Sequence, residues 1–152
     1  MVPSELNSAC SRNLVAPALS VETANPGVAA TAAELLPLFM RDLSSLQTEN
    51  LAKWFDAESK LCLPPCVPTV GQRRILTVFG LIFRRYSELS WSVRAVYPVG
   101  ERKLIYETDS WGTFADGRPY KNDILTVIEF TPSGKIRLLS DYFKDTAIFG
   151  KT

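Results

Sequence analysis

The chain has 152 residues, 46% of them hydrophobic, enough for one domain with a real core and short for two. Lys plus Arg number 17 against 16 Asp plus Glu, so no net field steers the protein to nucleic acid or to an acidic membrane surface. There is no histidine, which removes the commonest general base near neutral pH and the commonest metal ligand. The three cysteines, Cys10, Cys62 and Cys66, lack zinc spacing. No metal and no cofactor are expected, and acid–base chemistry must rest on carboxylates, tyrosines, lysines or thiols. No stretch is long and apolar enough to span a membrane and no signal sequence is evident, so a cytoplasmic protein with reduced thiols is expected, a Cys62–Cys66 bridge staying open.

Residues 1–30 are rich in Ser, Ala, Asn and Pro without a sustained period, and read as a flexible N-terminal arm. Residues 31–152 read as a single α+β domain. Ala32, Leu35, Leu36, Phe39, Leu43 and Leu46 recur at helical spacing, and Thr31 with Glu34 makes a capping box, so a helix is expected over 32–46. Pro37 argues for a bend or a later start. Thr48 caps a short second helix with Leu51, Trp54 and Phe55 on one face. A short strand follows at 59–63, and Pro64, Pro65 and Pro68 then make a stiff surface connection. The third helix, over 71–86, has Ile75, Val78, Phe79 and Ile82 on one side, with arginines on a solvated face.

Four long strands complete the chain, near 89–98, 103–114, 120–130 and 135–144. Ala115-Asp116-Gly117 carries a hairpin signal, and Thr131-Pro132-Ser133-Gly134 suits a type I turn. Strands longer than the usual ~5–6 residues imply strong twist and curvature. The expected fold class is α+β, a cone-shaped curved antiparallel sheet with three helices enclosing a central pocket.

Leu51-Ala52-Lys53-Trp54-Phe55-Asp56, Pro64-Pro65, Gly71, Gly117-Arg118-Pro119-Tyr120 and the run from Gly134 to Asp141-Tyr142-Phe143, in this order of elements, resemble the nuclear transport factor 2-like superfamily. Within it the likeness is to SnoaL-like polyketide cyclases and limonene-epoxide hydrolases, and it covers about 32–149. The positions used by ketosteroid isomerases hold Leu63, Phe39 and Thr126 here, and the histidines of scytalone dehydratase are absent. Of the polar set of limonene-epoxide hydrolase, Asp141 matches, while the other positions hold Asp109, Trp111, Leu61 and Leu63. The resemblance sets an inward register: Glu107, Asp109, Trp111 and Thr113 on the second long strand, Asn122, Ile124, Thr126 and Ile128 on the third, Arg137, Leu139, Asp141 and Phe143 on the last. A one-residue bulge would flip part of it.

On that register, Asp109 and Asp141 are the candidate acid and base, Glu107 a third carboxylate, and Arg137 an orienting cation. The competing reading pairs Asp141 with Arg137 as a structural ion pair. Phe39, Trp54, Leu63, Tyr86, Trp111, Tyr120, Asn122, Thr126 and Phe143 are the expected pocket walls. The resemblance implies a cofactor-independent cyclase or isomerase working on an apolar, oxygenated polyketide- or terpenoid-type intermediate of secondary metabolism. An epoxide hydrolase of the same fold and a non-catalytic ligand- or protein-binding domain are the alternatives. Apolar Ile105, Leu125, Val127 and Leu138 on the outer sheet face imply a homodimer packed sheet to sheet.

Overall fold

The computed structural model describes residues 29–64 and 67–150. All but the last two residues of the expected N-terminal arm lie outside them, as do Cys10, Pro65 and Cys66.

Helix α1 spans Ala32–Ser44 and starts on the expected capping box: Glu34 N donates to Thr31 Oγ1 at 3.3 Å and Thr31 N to Glu34 Oε2 at 3.2 Å. It runs through Pro37, where one helical bond is missing because proline has no N–H. It stops at Ser44, and the Ser45 hydroxyl donates to the Asp42 carbonyl at 2.6 Å, satisfying one of the free carbonyls of the last turn. Helix α2, Thr48–Leu51, continues as a 3-10 turn over Ala52–Trp54; Thr48 is its first helical residue and Gln47 holds the cap position. Helix α3, Gln72–Arg84, is led in by Gly71 at φ 96°. Among the described residues no helix is long and apolar enough to cross a membrane.

The sheet has six strands, β1 (Lys60–Cys62), β2 (Thr69–Val70), β3 (Tyr86–Val99), β4 (Lys103–Phe114), β5 (Pro119–Phe130) and β6 (Ile136–Phe143), in the order β2-β1-β6-β5-β4-β3. It is mixed rather than wholly antiparallel, because β1 runs parallel to β6 with Leu61 opposite Leu139. No hairpin joins these two strands, so no turn forces an antiparallel pairing. The Pro-rich connection also yields a strand, β2, paired to β1 at the sheet edge.

The helices cover one face of the sheet. Phe39 and Leu36 from α1, Leu51 from α2 and Ile75 from α3 are sealed against Leu104, Ile128 and Ile136. Among the described residues no helix lies over the opposite face; Leu125 and Tyr142 are exposed there, and Ile105, Val127 and Leu138 are half-buried.

Register shifts at Tyr86/Glu88 and Val93/Ala95 bend β3 around the helices. At the first, the backbone of Glu88 presses on Gly112: a Cβ there would overlap the Glu88 carbonyl oxygen and lie 2.7 Å from its carbon. Backbone in a sheet cannot step aside as a side chain tip does. Gly112→Ala is therefore expected to destabilise the protein by about 3 kcal/mol, read as a lowered urea midpoint with unchanged slope.

Candidate active site

The side chains that meet at the centre are selected by the β4–β5 turn. Phe114 N donates to Arg118 O at 2.9 Å, closing a three-residue loop in which Gly117 takes φ 92°. This sets Ser110 opposite Asn122, Thr108 opposite Ile124 and Tyr106 opposite Thr126. Directly paired residues share a face, so Tyr106, Thr108 and Ser110 point inward with β5's Thr126 and Ile124. A two-residue turn at Asp116-Gly117 would have placed Trp111 opposite Asn122 and given the expected inward set.

Glu107, Asp109, Trp111 and Thr113 therefore lie on the outer face, and the expectation for this strand is corrected by one residue. Trp111 is 46% exposed. Asp109 bonds the Arg94 guanidinium directly, and Glu107 and Asp123 lie 3.6 and 3.4 Å from it. Arg94 sits in the Val93/Ala95 irregularity, and its charge is met by carboxylates on two neighbouring strands.

Arg137 is displaced by a second irregularity. Leu138 pairs with Glu129 and Ile136 with Phe130, leaving Arg137 as the extra residue of a bulge, exposed and 3.9 Å from Glu129. It is neither an orienting cation for Asp141 nor its ion-pair partner.

The inward faces of β3 to β6, with α1 and α3, enclose a cavity of about 150 Å³. Phe39, Leu63, Tyr86, Tyr120, Thr126 and Phe143 line it, together with Asp141. Trp54 and Asn122, like Trp111, do not. The Trp54 indole donates to Asp42 Oδ2 at 2.9 Å. The Asn122 amide donates to the Asp145 carbonyl at 2.8 Å and accepts from its N–H at 3.1 Å. Those two bonds anchor the 3-10 turn Ala147–Gly150, whose Phe149 packs on Phe143 and Tyr120 and closes one side of the cavity.

Asp141 is the only carboxylate among the described residues that line this cavity. Thr126 Oγ1 donates to its Oδ1 at 2.6 Å, and among the described residues it has no ion pair. Burial pushes its pKa up to about 6, with the Thr126 bond pulling the other way. Beside it Tyr106, 3% exposed, is held firmly protonated by burial and by the Asp141 charge. Tyr106, Thr108, Ser110, Arg85 and Phe149 were not among the expected site residues. Counting a three-residue loop back from β5 would have found the first three.

No protein-family model and no curated protein matches this chain. Solved structures do match its fold. An NTF2-like protein of unknown function from Exiguobacterium sp. 255-15 superposes with a TM-score of 0.66 at 17% identity, over 74% of this chain and 99% of that one. A putative SnoaL-like polyketide cyclase from Jannaschia sp. CCS1 gives 0.69 at 9% identity, over 83% and 94%. TerC co-crystallized with polyporic acid gives 0.66 at 14% identity, over 77% and 93%. At such identities the likeness shows the fold, which is the NTF2-like α+β cone.

The raised pKa of Asp141 fixes the sign of a pH effect. Between the ordinary value of 3.8 and about 6 the folded state binds the proton that the unfolded state has lost. Stability is thus greatest below the unfolded value and falls as pH rises through the folded one, by about 3 kcal/mol at most. Asp141→Asn should remove this slope and raise stability near pH 7 by roughly 1–3 kcal/mol, in urea titrations repeated from about pH 4 to 7.

Proposed function

We propose that the cavity binds an apolar, oxygenated small molecule and that Asp141 is the general base of a cofactor-independent isomerisation or cyclisation. The observation that carries this is an unpaired carboxylate, desolvated to a pKa of about 6, facing an apolar cavity. At neutral pH such a group is mostly ionised, and its conjugate acid is still able to return the proton.

The sequence of steps follows from the neighbours. Asp141 takes a proton from a carbon next to a carbonyl, and the electron pair moves onto the carbonyl oxygen. The Tyr106 phenol, kept protonated, donates to that developing enolate. Isomerisation follows when protonated Asp141 returns the proton to another carbon. Cyclisation follows when the enolate carbon attacks a second carbonyl of the same molecule and the proton passes to the new alkoxide. The partner of Asp141 in this scheme is a phenol rather than the Asp109 carboxylate, which the Arg94 cluster occupies on the other side of the sheet. The polyketide-cyclase neighbours, and TerC with polyporic acid, support a small organic ligand on this fold. A second reading, ligand binding without turnover, is favoured by the presence of one carboxylate instead of two.

Exchange of solvent deuterium into the carbon next to the carbonyl, followed by NMR over a panel of aromatic ketones, tests both readings. Wild-type exchange should rise with pH through about 6. Asp141→Asn should slow it by at least about 100-fold and Tyr106→Phe by roughly 10-fold, whereas Asp109→Asn should leave it unchanged. Equal rates for wild type and Asp141→Asn would sink the assignment. Ligand binding with no exchange in any protein would select the second reading.

A further inference from the structure

The cavity has a second polar end. From the Tyr106–Thr126 pair, which adjoins Asp141, four residues along β4 and β5 lead to the Ser110–Asn122 pair, about 13 Å of strand. Thr108, Ile124 and Phe143 form the row between. At the far end Ser110 is 1% exposed and Tyr120 is 4% exposed, and Tyr86 packs edge-on to Tyr120 with ring centres 5.0 Å apart. All three line the cavity. Tyr120 lies opposite Gly112, so no side chain competes with its ring on that face.

One hydroxyl of this trio is unspent. Ser110 Oγ has no hydrogen-bond partner among the described residues, although it is sealed from solvent. Burial raises the Tyr120 pKa, and the nearby Ser110 and Tyr86 hydroxyls pull it back, so the three groups are close neighbours. A buried hydroxyl left unpaired is costly, and native structures leave few of them. An oxygen placed among the three would complete the set.

We infer that Ser110, Tyr120 and Tyr86 form a second oxygen-binding subsite, which takes a carbonyl or hydroxyl oxygen at the end of the substrate remote from Asp141. The inference rests on the cavity being a ligand site, as proposed above. The three hydroxyls themselves carry no charge and suit a neutral oxygen, while the Arg85 cation, which also lines the cavity, acts on Tyr86. The row spacing asks for two oxygens roughly 10 Å apart on an elongated, flat or chain-like apolar body, within reach of one hydrogen bond at each end. The substrate class is thus a molecule oxygenated at both ends rather than one with a single oxygen at the reacting centre.

Two probes separate the ends: β-naphthol, whose hydroxyl donates to Asp141, and the acetyl derivative that adds a ketone on the far ring. Dissociation constants are measured by naphthol fluorescence for wild type, for Asp141→Asn and for the Ser110→Ala, Tyr120→Phe double variant. The ketone probe should bind wild type about tenfold more tightly, a preference that falls to about one in the double variant. In Asp141→Asn both probes should weaken while their ratio stays. The double variant removes hydroxyls without adding bulk, and its melting temperature should not fall. If both probes bind wild type equally, or the preference survives in the double variant, the subsite is overturned and the cavity reading stands. If neither probe binds any protein, the cavity reading falls and the subsite with it.

Discussion

The parity of the β4–β5 pairing is the constraint on which the cavity depends. Side chains alternate across a strand, so a one-residue change in the connecting loop moves every inward group outward. The three-residue loop closed by Gly117 leaves Tyr106, Thr108 and Ser110 facing the helices. The opposite parity would bring Glu107 and Asp109 beneath α1 and α3, away from Arg94 and out of water. Unpaired buried charges cost several kcal/mol each, so hydrophobic packing and electrostatics reject that register together. Gly112 reinforces the choice, because the Glu88 backbone fits against it only when no side chain is present.

A second desolvated aspartate, Asp42, shows what Asp141 lacks. Asp42 on α1 is 7% exposed, and burial alone would raise its pKa. The Trp54 indole at 2.9 Å, Lys53 at 3.0 Å and Arg41 at 3.3 Å reverse that and hold it below the ordinary carboxylate value. Asp42 is a structural charge, fully answered. Among the described residues Asp141 receives one hydroxyl bond and no cation, and its pKa moves the other way. Withholding such compensation from a carboxylate is one way for a chain without histidine to place a titrating group in the neutral range. Lower stability at neutral pH is the physical consequence.

The capping box, the helix spacings, the long strands and both turns were legible in the sequence because each is local. Phe39 and Thr126 were legible as inward residues because each belongs to an unbroken period within one element. Asp141 was legible for the same reason, as an inward position of β6 beyond the bulge. Glu107, Asp109 and Trp111 were placed on the wrong face because alternation fixes which residues agree with one another and not which face they take. That depends on a loop length counted across two strands. Arg137 was misplaced by a bulge, and nothing in Gly134-Lys135-Ile136-Arg137 marks a bulge apart from the turn before it. The parallel pairing of β1 with β6 was invisible for another reason: it joins segments far apart in the chain with no turn between them.

The division of labour between the two sheet faces follows from these facts. Outside, carboxylates from β4 and β5 surround Arg94 in high-dielectric surroundings, where charge is cheap and each ion is matched. Inside, the one carboxylate stands near one end of a cavity whose middle row is Thr108, Ile124 and Phe143. The properties of Asp141 therefore do not belong to β6 alone. They require Phe39 from α1 and Phe79 from α3 to exclude water from above, while Thr126 orients the carboxylate from below. Loosening the helices would hydrate Asp141 and return it toward an ordinary acid even with every atom of the strand in place. The raised pKa is made by the packing, and the sheet supplies the position of the carboxylate.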